Sequence, residues 1–67
     1  MMLTNVNQLR TTLEQMERLL RALDDLKENV LPKDPALFAV MAEAPLDDLA
    51  RLRSEIRGYA HELQATA

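Results

Sequence analysis

The chain has no cysteine and no tryptophan, one histidine (His61), one glycine (Gly58), one tyrosine and one phenylalanine among its 67 residues. Each shortage excludes something. Without cysteine there are no disulfides, no thiolate zinc sites and no thiol chemistry. A single histidine cannot supply the imidazole clusters of common transition-metal sites within one chain. One glycine rules out the glycine-rich loops that cradle phosphates. Lys and Arg total 8 against 11 Asp and Glu, a net charge of −3 with pI near 4.9. No basic footprint exists to neutralise a nucleic-acid backbone, so direct nucleic-acid binding is not expected. The longest apolar run, "ALFAV", or "ALFAVMA" if extended, falls far below the ~20 residues that a membrane span needs. The start "MMLTNVNQLR" lacks the lysine-led apolar core of a leader. A soluble, cytoplasmic protein is expected.

What is present is helical periodicity. Val6, Leu9, Leu13, Met16, Leu20, Leu23 and Val30 recur at steps of three and four, interrupted at Lys27, as heptad seam positions do. With Leu19 and Leu26 they cover about 160° of a helix circumference, wider than one facing helix needs. "LPKDP" is the main break. Asp34 is a good N-cap and Pro35 suits a first helical position, so a short helix over about 35–43 is expected, ended by Pro45. From Leu46, the residues Leu49, Leu52, Ile56, Tyr59 and Leu63 resume the spacing, which predicts a last helix over about 46–64. β-Branched residues are few and hairpin-turn dipeptides absent.

The expected fold is therefore all-α, a single domain over residues 1–67. A long helix over about 5–29 is followed by the short helix, and the last helix returns antiparallel along the first. A domain of this size buries only ~60% of the surface its unfolded chain exposes. With no disulfide or metal to help, the wide stripe predicts a homodimeric four-helix bundle. The expected seam, intramolecular and between copies, is Val6, Leu9, Leu13, Met16, Leu19, Leu20, Leu23, Leu26, Leu49, Leu52, Ile56, Tyr59 and Leu63.

Two helix starts compete in "LTNVNQLRTTLEQ". Thr11 with Glu14, and Thr12 with Gln15, both fit a capping box. Val6 and Leu9 nevertheless continue the downstream heptad without a phase slip, which favours a start near Asn5. A start near Thr12 would leave residues 2–10 as an arm able to clasp a partner. A start near Asn5 makes them two more turns of the seam.

Candidate chemistry is thin. Asp24/Asp25 and Asp47/Asp48 are adjacent carboxylates, but helix neighbours point ~100° apart and do not converge on one ion or substrate. Tyr59 and His61 face different ways for the same reason, and Ser54 has no base at a useful spacing. Arg51, Arg53 and Arg57 give the last helix a basic side, read as ordinary solubility and intrahelical pairing before an acidic partner. Gly58 marks either a close approach by another backbone or a locally weak helix. No catalytic residue, metal ligand or cofactor is assigned, and a non-enzymatic role is expected.

"LTNVNQLRTTLEQMERLLRAL" and "PALFAVMAEAPLDDLARLRSEIRGYAHEL" together resemble a helical-hairpin segment of bacterial antitoxin-like regulators, which precedes a helix-turn-helix domain of the phage-repressor type. The shared features are the Thr-Asn…Gln…Arg…Thr opening and Leu49, Leu52, Glu55-Ile56 and Tyr59. Leu9, Pro45 and Gly58 depart from the pattern, and no helix-turn-helix is present in this chain. The resemblance implies an oligomerisation or partner-binding module, with a toxin as one partner. The alternative expectation is a small phage- or mobile-element-type inhibitor that binds a host protein.

Overall fold

The computed structural model describes residues 5–66. Two helices, α1 (Val6–Asn29) and α2 (Pro35–Thr66), pack against each other, joined by residues 30–34. No strand occurs among the described residues.

Helix α1 starts at the earlier of the two competing signals. Asn5 is extended, with φ −156° and ψ 170°. Its Oδ1 accepts the Gln8 N–H at 2.9 Å, satisfying one of the donors that a helix start leaves orphaned. Thr11 and Thr12 lie inside the helix. Their hydroxyls donate back to the Asn7 and Gln8 carbonyls at 3.1 and 2.9 Å. Residues 6–10 are thus helical turns, and residues 2–4 of the alternative arm lie outside the described residues.

The turn uses no glycine. Val30 and Leu31 both donate to the Leu26 carbonyl, at 2.9 and 3.0 Å, and Lys33 and Asp34 both donate to Val30, at 3.0 and 2.8 Å. No described residue has positive φ. Asp34 Oδ1 accepts the Leu37 N–H at 3.0 Å, so α2 opens with the expected cap.

The expected short helix over 35–43 and last helix over 46–64 are one. Helix α2 runs 32 residues through Pro45 without interruption, so the described residues form two helices and not three. Proline removes one helical hydrogen bond and crowds the carbonyl four residues back, a cost of ~3 kcal/mol. Packing offsets it. Phe38, Ala42, Pro45, Leu49, Leu52, Ile56 and Tyr59 are all buried or half-buried and keep one three-and-four rhythm across the proline. A break at Ala44 would throw one half of that row off α1.

On α1 the inward row is the half-buried Leu9, Met16, Leu19, Leu23, Leu26 and Val30 with the buried Thr12, while Val6, Leu13 and Leu20 face solvent. This differs from the expected row in phase. Leu9, Met16, Leu23 and Val30 belong to both registers; the alternatives are Thr12, Leu19 and Leu26 or Leu13, Leu20 and Lys27. The physical reason lies in the single polar residue each must bury. Thr12 is only 6% exposed, but its hydroxyl is satisfied within its own helix. Lys27 would have to desolvate an ammonium, a far larger cost. It sits outside instead, 3.0 Å from Asp24.

At ~1.5 Å rise per residue, the 32 residues of α2 span about 48 Å and the 24 of α1 about 36 Å. The molecule measures 50 × 17 × 17 Å. Because both helices meet at the turn, α2 overhangs the start of α1 by about 12 Å.

Candidate interaction surface

The two rows of half-buried side chains do not close a core. Among the described residues only Ala42 (2% exposed), Leu52 (4%) and Thr12 are buried, and no large side chain is fully enclosed. Val6, Leu13, Leu20, Leu37, Val40, Met41, Leu46 and Leu63 are exposed, Val6 to 66%.

Helix geometry sorts these residues onto two sides. In an antiparallel pair, flanking positions that follow the inward row on each helix share one side, and those that precede it share the other. The first side carries Val6, Leu13, Leu20 and Lys27 from α1 with Ala39, Leu46, Arg53 and Ala60 from α2. The second carries Gln8, Gln15 and Ala22 with Met41, Asp48, Glu55 and Glu62. One side is therefore mostly apolar and the other mostly polar. A shallow groove lined by Leu13, Met16 and Leu20, with Arg10, Glu14 and Glu17 at its edge, opens on the first side.

The polar side holds an open cleft of about 480 Å³ between the helices, lined among others by Gln8, Thr12, Gln15, Arg51, Leu52 and Glu55. Arg51 lies 3.7 Å from Asp48 and 4.0 Å from the half-buried Glu55. The threonine hydroxyls there are committed to helix carbonyls, and the Asn5 side chain caps α1. Amides, hydroxyls and one ion-paired guanidinium make a polar lining with no nucleophile beside a base. Tyr59 is half-buried on the inward row and His61 exposed; two steps apart on a helix, they point ~200° apart. Among the described residues no cluster of three or more His, Cys, Asp or Glu is placed to hold a metal ion, and no helix is long and apolar enough to cross a membrane.

Of the expected seam residues, Leu9, Met16, Leu19, Leu23 and Leu26 on α1 and Leu49, Leu52, Ile56 and Tyr59 on α2 line the contact between the helices, whereas Val6, Leu13, Leu20 and Leu63 are exposed. Leu19 and Leu26, the residues that widened the predicted stripe, point inward, and Val6, Leu13 and Leu20 make the uncovered strip. Sequence reasoning missed Thr12, Phe38, Ala42 and Pro45 on the inner row and Leu46 beside Leu20's side. The signal for the α2 residues was the unbroken spacing from Phe38 to Tyr59, masked by treating Pro45 as a stop.

Gly58 meets nothing: a Cβ built there has no neighbour within 4 Å. Within the chain it is a weak point of the helix, not a close approach. The Lys27 ammonium has a displaced proton affinity. Its hydrogen bond to the Asp24 carboxylate, helped by the charges of Asp24 and Glu28, holds it above the ordinary 10.5.

Comparison with protein-family models, with curated proteins and with solved structures found no match.

Proposed function

We propose that the hairpin is a non-enzymatic protein-interaction module that completes its core by self-association into a homodimeric four-helix bundle. The observation that carries this reading is the uncovered apolar side of a hairpin in which no large side chain among the described residues is fully enclosed. The elongated hairpin also exposes more surface than a globular monomer of its mass. The chain exposes 5247 Å², whereas a folded monomer of 7.6 kDa exposes about 4300 Å². The difference, about 900 Å², is close to the ~800 Å² that each partner contributes to a standard interface. The setting we favour is a regulator- or antitoxin-linked oligomerisation element, on the sequence resemblance alone.

Sedimentation equilibrium of the full chain tests the reading. The expected result is a helical species of about twice the 7.6 kDa chain mass at micromolar concentration, dissociating on dilution. A folded, helical monomer across that range overturns it.

A further inference from the structure

We infer which face joins the two copies and how they are oriented: the Val6–Leu13–Leu20–Leu46 sides stack face to face, with the copies running in opposite directions. This inference rests on the self-association reading above. The face follows from composition: its two charged positions, Lys27 and Arg53, have long stems that carry the charge to the rim, whereas the opposite side presents Gln8, Gln15, Asp48 and Glu55, shorter polar groups that a dimer core would have to desolvate. The patch of Leu37, Val40 and Met41 wraps around one end of one helix and offers no strip along both.

The orientation follows from charge. Along the outer edge of this face α1 places Arg10, Glu17 and Asp24 at steps of seven, and α2 places Glu43, Ala50 and Arg57 at the same steps. The helices diverge from a turn centred near residue 32, which at equal rise puts Thr12 level with Leu52, and both line one cleft. That register puts Arg10 and Arg57 together toward the open end of the hairpin, and Asp24, which also holds Lys27 at 3.0 Å, together with Glu43 toward the turn. The charge reverses sign near Glu17 on α1 and near Ala50 on α2, levels about 4.5 Å apart at ~1.5 Å per residue, so one two-fold axis midway leaves each oppositely charged pair within reach of a long arginine side chain.

Only one two-fold arrangement satisfies this pattern. With α1 on α1 and α2 on α2 in opposite directions, Arg10 meets Asp24 of the partner subunit and Arg57 meets Glu43 of the partner subunit, each twice. Leu13 then lies over Leu20 of the partner subunit, also twice. With the copies parallel, α1 stacks on α2 of the partner subunit, Arg10 meets an Arg57 and Asp24 meets a Glu43. Like charges then meet at every edge, a penalty that selects against that geometry. In the antiparallel arrangement the one like-charged meeting is Glu17 with its own copy at the dyad.

Three measurements on the full chain test this. First, Leu20→Glu weakens the dimer by about a hundredfold or more, because a carboxylate enters the apolar strip, whereas Met41→Glu on the other side leaves dissociation unchanged. Second, Arg10→Glu/Arg57→Glu and Asp24→Arg/Glu43→Arg each weaken self-association by about tenfold. Their equimolar mixture recovers wild-type affinity, and Glu17→Gln tightens the dimer. Third, because the chain has no cysteine, single cysteines report proximity without background: Glu17→Cys cross-links to itself, while Arg10→Cys cross-links to Asp24→Cys and not to itself.

Circular dichroism of each variant confirms that the helices persist, since every substituted side chain is on the surface or at its edge. A wild-type monomer overturns the self-association reading and this inference together. A dimer that tolerates Leu20→Glu but is lost in Met41→Glu overturns the chosen face and leaves the module reading intact. Charge-reversed variants that associate as tightly as wild type, or Arg10→Cys cross-linking to itself, overturn the orientation.

Discussion

Replacing Pro45 by alanine should make the hairpin more stable, although the ring lies on the inward row. Pro45 sits well inside α2, where it cannot donate to the carbonyl of Met41 and its ring crowds that carbonyl. Host–guest values place proline ~3 kcal/mol below alanine in a helix interior. Against this stands the loss of packed surface. The ring is half-buried, and removing its two outer methylenes forfeits about 1 kcal/mol at ~0.8 kcal/mol for each fully buried methylene. The net expectation for Pro45→Ala is about 1–2 kcal/mol of stabilisation, which at about 4–8 °C per kcal/mol for a domain of this size raises Tm by about 4–16 °C. Thermal melts followed by far-UV circular dichroism measure it, at matched protein concentration because association shifts Tm by mass action. A fall in Tm would refute the reasoning. It would mean that a bend imposed by the ring is what lets both halves of α2 reach α1.

Gly58→Ala, at a position where the new methyl meets nothing, should raise stability by about 0.5–1 kcal/mol with the oligomeric state unchanged; light scattering and melts read both. Leu52→Ala removes the most enclosed large side chain and should cost about 2–5 kcal/mol by urea denaturation, enough to unfold much of a marginal domain. Asn5→Ala should cost about 1 kcal/mol and lose helical signal from the first turn of α1, as amide exchange at Gln8 would show. Lys27 titrates above its ordinary 10.5 through Asp24, so the pair's contribution is present at neutral pH and fades as pH rises through the raised value. The Tm difference between wild type and Lys27→Met should be constant near neutrality and vanish in strong alkali.

Much of this architecture is legible in the residues, and the failures have specific causes. The break at "LPKDP", the Asp34 cap and the all-helical character follow from local rules that nothing downstream contests. The start of α1 required a choice between cap chemistry at Thr11/Thr12 and heptad continuity at Val6 and Leu9. Continuity held because the threonine hydroxyls have an alternative use, bonding carbonyls one turn back. The division of α2 failed because a local penalty at Pro45 was weighed without the row of contacts on either side of it. The phase of α1 failed more instructively. A wide apolar stripe contains two overlapping registers with nearly equal leucine content, and counting apolar residues cannot separate them. Comparing the cost of enclosing Thr12 with that of enclosing Lys27 can. The candidate surface was legible only through that step, since the register left outside the hairpin supplies Val6, Leu13 and Leu20.

The turn without glycine has a kinetic consequence. Every contact between α1 and α2 is nested around residues 30–34, so each added pair closes only a slightly larger loop than the one before. Such a chain zips from the turn outward, with the short elementary times of helix growth and local loop closure. Opening runs the other way. Slowest exchange is expected near Leu26 and Phe38, with protection falling toward Asn5 and the overhanging end of α2. The strip proposed to join two copies runs along that gradient, from well-protected Leu20 to easily frayed Val6, so association would slow the fraying of each hairpin at its open end.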